Sequence, residues 1–273
     1  ITDAGSTKAK LVERAEVALA DRFAQHMPFV GSHPIAGSEK TGPEAARAGL
    51  FEERVVVVTE SEISDHDVVD TIEAFWQSLG ARVVRMSPED HDAALARTSH
   101  LPHLVASALA VATPEEVLPL TAGGWQDTTR IAASDPRLWT QILAGNAAAV
   151  RNVLSDLRAD LDEVIGALDQ LSDGDSRGAL EVVNRTVGNG NVGVARIPGK
   201  HGAAPTAYET VVVVVPDTPG VLGRLLTDMG EIGVNLEEIH LGDGLGQPFG
   251  LAEVAVLPGA VERLLAGLAD RGW

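Results

Sequence analysis

The sequence contains no cysteine. Disulfide frameworks and thiolate metal sites are therefore excluded, and a cytoplasmic location follows only as the default. Positive charge is also scarce. The 273 residues hold 21 Lys+Arg against 39 Asp+Glu, a formal charge of −18. Nucleic acid is excluded as the main partner, because phosphate backbones are held by clustered Lys and Arg. Electrostatic docking on an anionic membrane surface is excluded on the same ground. No run of about 18 apolar residues occurs, so no spanning helix is expected, and no secretory-signal pattern is visible at the start. Apolar side chains are plentiful at 45%, enough for a sizeable core, and the length predicts about two domains.

Residues 1–87 alternate strand and helix signals. Leu11, Ala15, Ala18 and Leu19 give helical spacing between Thr7 and Arg22, and Phe29-Val30-Gly31 is a short apolar run ending in a loop. Val55 to Val58 are apolar on both faces, which predicts a strand buried on both sides of an α/β sheet. A helix over Asp65 to Leu79 with a Gly80 stop and a strand over Ala81 to Met86 follow. The expectation is part of a Rossmann-like parallel sheet. Residues 88–172 carry no strand signal and read as all-helical. Pro102 is expected to kink its helix, and Ile142, Val150, Leu154, Leu157, Leu161, Ile165 and Leu168 recur every three to four residues over Pro136 to Leu171. So much apolar face predicts a homodimer formed through this half. Residues 173–208, broken by glycines and by Pro198 and Pro205, read as a linker. Residues 209–273 read β-α-β-β-α, a ferredoxin-like α+β unit short of its last strand.

Four loop and helix motifs carry candidate chemistry. Gly188-Asn189-Gly190-Asn191-Val192-Gly193 fits the dinucleotide fingerprint, but the Pro198-Gly199 that soon follow argue against the long helix this fingerprint needs, so it is read as linker. In Gly31-Ser32-His33-Pro34-Ile35-Ala36-Gly37-Ser38-Glu39-Lys40, His33 is placed on a loop at a strand end, read equally as a proton acceptor or a satisfied structural histidine. Arg97, His100, His103 and Ser107 share one helical face, read as anion-binding rather than metal-binding, with a solvated face as the alternative; no metal is expected. Arg130 is suited to a bidentate grip on a carboxylate or, equally, to a surface ion pair, and Asp135-Pro136 reads as a helix start.

In this order, Thr2-Asp3-Ala4-Gly5-Ser6-Thr7-Lys8, His33-Pro34-Ile35-Ala36-Gly37-Ser38-Glu39-Lys40, Ser99-His100-Leu101-Pro102-His103 and Asp127-Thr128-Thr129-Arg130-Ile131-Ala132 resemble the prephenate dehydrogenase family over residues 1–172. Asp217-Thr218-Pro219-Gly220-Val221-Leu222, with Gly233-Val234-Asn235, resembles an ACT regulatory domain. The resemblance implies oxidative decarboxylation of prephenate to 4-hydroxyphenylpyruvate with NAD, or NADP, in tyrosine biosynthesis. Arogenate is the alternative substrate. His33 is implied as the proton acceptor, with Ser6 positioning it beside the nicotinamide. Arg130, His103, Glu39, Lys40 and Trp139 are implied at the substrate, and Asp3 with Ser6 at the cofactor. An amino-acid effector, tyrosine, is implied at Asp217, Gly220 and Asn235. The Arg97/His100/His103 face and Arg130 are expected to focus positive charge on a dianionic substrate. The family's phosphate loop precedes the Thr-Asp-x-Gly-Ser segment, so the N-terminal nucleotide-binding part is expected to be absent from this sequence. On that footing a non-catalytic amino-acid-sensing remnant is the rival reading.

Overall fold

The computed structural model describes residues 1–23, 27–36, 46–174, 177–197, 208–243 and 249–273. The chain divides into two units, Ile1–Val187 and Gly188–Trp273.

In the first unit, helix α1 (Ala9–Phe23) precedes strand β1 (Gly31–Pro34), β2 (Val55–Thr59), helix α2 (His66–Ser78) and β3 (Arg82–Met86). Strand β2 is central, antiparallel to β1 and parallel to β3. The sheet is thus mixed, not the parallel one expected, because β1 runs back along β2 instead of arriving by a crossover. Val56, Val57 and Val58 are buried, as an apolar run covered on both faces demands. Each such side chain contributes roughly 1.5–3 kcal/mol on burial. His33 does not sit on a loop: it lies inside β1, opposite Val57. The strand begins at Gly31 because only glycine fits there. A Cβ would lie 2.5 Å from Thr59 Oγ1 and 3.0 Å from Lys8 Cδ. Asp65 caps α2 by accepting from the Asp67 N–H.

Helices then follow without a strand: α3 (Pro88–Leu95), α4 (Leu101–Ala112), α5 (Gly123–Thr129), α6 (Pro136–Gly145) and α7 (Ala147–Ser172). Ser87 and Asp135 cap α3 and α6, each followed by proline in the first helical turn, where its missing N–H is not needed. Between α3 and α4 the backbone widens into a π-turn over Ala96–His100, with the Leu101 N–H bonded to the Ala96 carbonyl. Pro102 is the second residue after it. The expected kink takes this form because the wide turn relieves the clash of the ring with the preceding carbonyls.

Helix α8 (Arg177–Val194) occupies half of the segment expected to be a linker and crosses the division between the units. Gly188, Gly190 and Gly193 lie within it. An interior glycine costs a helix about 1 kcal/mol but does not forbid it. The stronger breaker, Pro198, comes only after the helix has ended.

The second unit holds β4 (Glu209–Pro216), α9 (Val221–Ile232), β5 (Glu238–Asp243), β6 (Phe249–Val256) and α10 (Val261–Ala269). Its antiparallel sheet has the order β4-β6-β5. Val211, Val213 and Val215 alternate inward against Leu225 and Met229 of α9 and Leu264 and Leu268 of α10. The β-α-β-β-α order agrees with the sequence reading.

Candidate active site

A cleft of about 760 Å³ opens in the first unit between β1 and the helical half. Ala4 and Ser6 line it from the opening segment, His33 from β1, His100 from the π-turn and His103 from α4. Arg130 enters from the turn after α5, and Leu138, Trp139 and Ile142 enter from α6. Four expected residues of the first unit thus share one cavity with Arg130: Ser6, His33, His103 and Trp139. Glu39 and Lys40 lie outside the described residues. Arg97 is not in the cleft. It is exposed and pairs with Asp156 at 3.4 Å, because the π-turn breaks the regular helical phase that would align it with His100 and His103.

The indole of Trp139 forms one wall. His103 stacks on it with ring centroids 3.5 Å apart and planes 5° from parallel, while His100 meets it edge-on at 6.1 Å. Burial holds both histidines below the usual imidazole range. They are neutral near pH 7 and contribute hydrogen bonding, not the positive charge expected of them. Among the described residues lining the cleft, Arg130 is the formal cation.

His33 sits over a buried polar network that sequence reasoning missed. Its Nδ1 lies 2.9 Å from His91 Nε2, and His91 Nδ1 lies 2.8 Å from Asp92 Oδ1. His91 and Asp92 are buried. Asp92 also accepts the Lys8 N–H at 2.8 Å and the Ala9 N–H at 3.0 Å, so its carboxylate caps α1 from another helix. Burial alone would raise the pKa of Asp92, but the bonds from His91 and these two amides outweigh it and hold the group below the usual carboxylate range. Asn146 fixes the pair from the junction of α6 and α7, donating to the Asp92 carbonyl at 2.6 Å and lying 3.2 Å from His100 Nδ1. The one signal in the sequence was an adjacent His-Asp pair one turn into the helix begun by Ser87-Pro88.

Burial, followed by the electrostatic influence of His91 and Lys8, pushes His33 down to about 3, with Asp3 acting in the opposite direction. Asp3 is itself engaged within the chain. It accepts from the Gly5 and Ser32 amides and from the ammonium of Lys8. Lys8 is fully buried, and desolvation holds it below the usual lysine range, opposed by Asp3 and Asp92.

Comparison with known proteins bears on this cleft directly. The model of the prephenate dehydrogenase nucleotide-binding domain matches residues 1–85, and that of the prephenate dehydrogenase dimerization domain matches residues 87–180. The probable prephenate dehydrogenase NovF of Streptomyces niveus is 31% identical over 255 residues, covering 89% of this chain and 69% of that one. This chain belongs to the prephenate dehydrogenase family. The prephenate dehydrogenase of Bacillus subtilis is 32% identical over 247 residues, which is 88% of this chain but 64% of the relative. The crystal structure of prephenate dehydrogenase from Aquifex aeolicus, in complex with hydroxyphenyl propionate and NAD+, superimposes with a TM-score of 0.58 at 33% identity, covering 71% of this chain and 66% of that one. The chain therefore spans just under two thirds of these last two relatives. The match at residues 1–85 corrects the expectation that the family's nucleotide-binding part is absent. The assigned part includes Ser6 and His33, although no G-x-G-x-x-G occurs within residues 1–85.

In the second unit, Asp217 and Gly220 share the turn between β4 and α9, and Gly220 has φ +89°. Asn235 does not join them. Strand β5 runs parallel to β4 through β6, with Glu238 level with Thr210. Asn235 therefore lies at the other end of the unit, removed by the length of α9, roughly 18 Å for its 12 residues. One small ligand does not touch all three within a single copy. Among the described residues no cluster of three or more His, Asp or Glu is arranged for a metal, and no helix is long and apolar enough to cross a membrane.

Proposed function

We propose that this chain catalyses the NAD-dependent oxidative decarboxylation of prephenate to 4-hydroxyphenylpyruvate. The observation that carries this reading is that His33 and Arg130, 97 positions apart in the sequence, line one cleft with Ser6, His103 and Trp139. Arg130 holds a substrate carboxylate, and the flat wall of Trp139 and His103 lies against the ring. His33 accepts the proton of the ring hydroxyl as hydride leaves the carbon that bears it. Loss of the ring carboxylate as CO2 leaves its electron pair to aromatise the ring, which supplies the driving force. The protein's share is orientation and proton removal.

The residues present fit the reactive end of a nicotinamide: Ala4 and Ser6 are small and line the same cleft as His33. The nicotinamide, when bound, supplies the hydride acceptor. Ser6 orients His33 toward it.

The exposed Leu154, Leu161, Ile165 and Leu168 of α7, within the segment matched by the dimerization-domain model, support a homodimer. We read the second unit as ACT-like, with tyrosine as an effector whose carboxylate meets the turn at Asp217 and Gly220; Asn235 belongs to that site only if a second copy supplies it. The cytoplasm is the proposed location.

The test is an absorbance assay at 340 nm with the purified chain, prephenate and NAD+, repeated with NADP+ and with arogenate. Prephenate with NAD+ is expected to generate NADH. A folded protein that turns over neither substrate with either cofactor would overturn the assignment and favour the sensing reading.

A further inference from the structure

We propose that His91 and Asp92 are positioning residues that lock His33 in the tautomer with its proton on Nδ1, leaving the Nε2 lone pair for the cleft. The inference rests on the reading of His33 as the proton acceptor.

The argument is a chain of donors and acceptors. Asp92 already receives the amides of Lys8 and Ala9 at the start of α1, the positive end of a helix, and is held as an anion. An ionised carboxylate only accepts. The 2.8 Å contact to His91 Nδ1 therefore makes that nitrogen the donor. In a neutral ring the other nitrogen is then a bare acceptor, so His91 Nε2 accepts across the 2.9 Å contact. The proton between the rings belongs to His33 Nδ1. His33 Nε2 is the nitrogen that remains, and it carries a lone pair.

The alternative is a doubly protonated His91 that donates to both neighbours. It would force His33 into the opposite tautomer, with a proton on Nε2 and no base in the cleft. The surroundings oppose it. His91 is fully buried, the buried ammonium of Lys8 stands beside the network, and His100 is coupled to it from the π-turn through Asn146. The acidic groups are Asp92, satisfied as above, and Asp3, which is committed to Lys8, Gly5 and Ser32.

The relay also answers a difficulty of the site. His33 is poorly disposed to hold a proton, since burial opposes it and the ammonium of Lys8 stands nearby. When the substrate O–H bond breaks and the Nε2–H bond forms, the new imidazolium keeps its Nδ1 proton directed at neutral His91, which is polarised in turn by the Asp92 carboxylate. No electron leaves the relay, and its other protons stay where they were. A carboxylate orienting a catalytic imidazole is the logic of the hydrolase triads; here a second imidazole lies between them.

The experiment uses the full chain labelled with 15N-histidine. Two-bond 1H–15N spectra report which nitrogen of each ring carries the proton, and a His33→Asn sample identifies the His33 signals. The Nδ1–H tautomer is expected for His33 in the native sequence. Asp92→Asn should shift it toward Nε2–H, lowering kcat for prephenate about tenfold to a thousandfold while KM stays within about twofold. His91→Gln, whose amide accepts from one side and donates to the other, should recover at least tenfold over His91→Phe. Should His91→Phe fail to fold, the tautomer spectra and the Asp92→Asn comparison still decide. An Nε2–H tautomer in the native protein, or full turnover in Asp92→Asn, overturns the relay even where His33→Asn is inactive. Full turnover in His33→Asn instead overturns the reading of His33 as base, whatever the tautomer.

Discussion

Acidification from pH 7 to pH 5 should destabilise the first unit through His33. In the unfolded chain an imidazole titrates near 6.5, whereas burial against His91 and Lys8 pushes His33 down to about 3. The unfolded state therefore binds the extra proton between these two values, and stability present above pH 6.5 is lost as the pH falls toward 3. At pH 5 the gap between 6.5 and 5 corresponds to about 2 kcal/mol, since one pH unit per proton is worth about 1.4 kcal/mol. Part of the ring opens onto the cleft, so the measurable share is between about 1 and 2 kcal/mol. His100 and His103 are displaced in the same direction by burial and add to the loss in both proteins compared. Asp92 is displaced downward too, but from 3.8, and contributes only at lower pH. The assay is urea unfolding at pH 7 and pH 5 for the native sequence and His33→Gln, followed by tryptophan fluorescence. Three of the four tryptophans, Trp76, Trp125 and Trp139, report on the first unit. The variant should lose less stability over this interval by the stated amount. Equal losses in the two proteins would refute the argument that His33 is held neutral by its surroundings.

Other perturbations test other parts of the molecule. His33→Asn should reduce kcat by about two to four decades if the imidazole is the general base, with KM changed far less; an unchanged turnover number removes it from that role. Arg130→Ala should raise KM for prephenate by about tenfold or more, the worth of a charge-assisted carboxylate contact, and an unaltered KM would count against the proposed grip. Gly267→Ala should destabilise the second unit by about 1–2 kcal/mol despite the better helix former. The new Cβ would lie 2.7, 2.8 and 3.0 Å from Cγ1, Cδ1 and Cγ2 of Ile232, leaving that side chain no rotation that escapes it; chemical denaturation followed at Trp273 measures the effect.

The parts of the fold that were legible are those in which local pattern and tertiary burial agree. The run Val55–Val58 reads as a doubly covered strand and is one, and the helix starts read at Asp65 and Asp135 are real ones. Where local propensity and context diverge, the reading fails. Glycines at 188, 190 and 193 weaken a helix without preventing it, so α8 was taken for a linker. The direction of β1 is a property of the sheet and leaves no trace in Gly31-Ser32-His33-Pro34. The cleft was recognisable through motif resemblance, but its supporting network was not. His91 and Asp92 are ordinary surface-type residues in sequence, and their meaning comes from contacts with Lys8, His33 and Asn146 that span up to 84 positions.

The π-turn at Ala96–His100 has a consequence for how easily this cleft can be reshaped. It amounts to one surplus residue threaded into an otherwise continuous rod. Deleting a single position there would restore regular winding and shift Thr98, Ser99 and His100, which line the cleft, in register. A different side chain would then be presented beside Trp139 to the ring of a bound molecule. A one-codon change in this turn would thus redraw a binding wall while the scaffold on either side stayed intact.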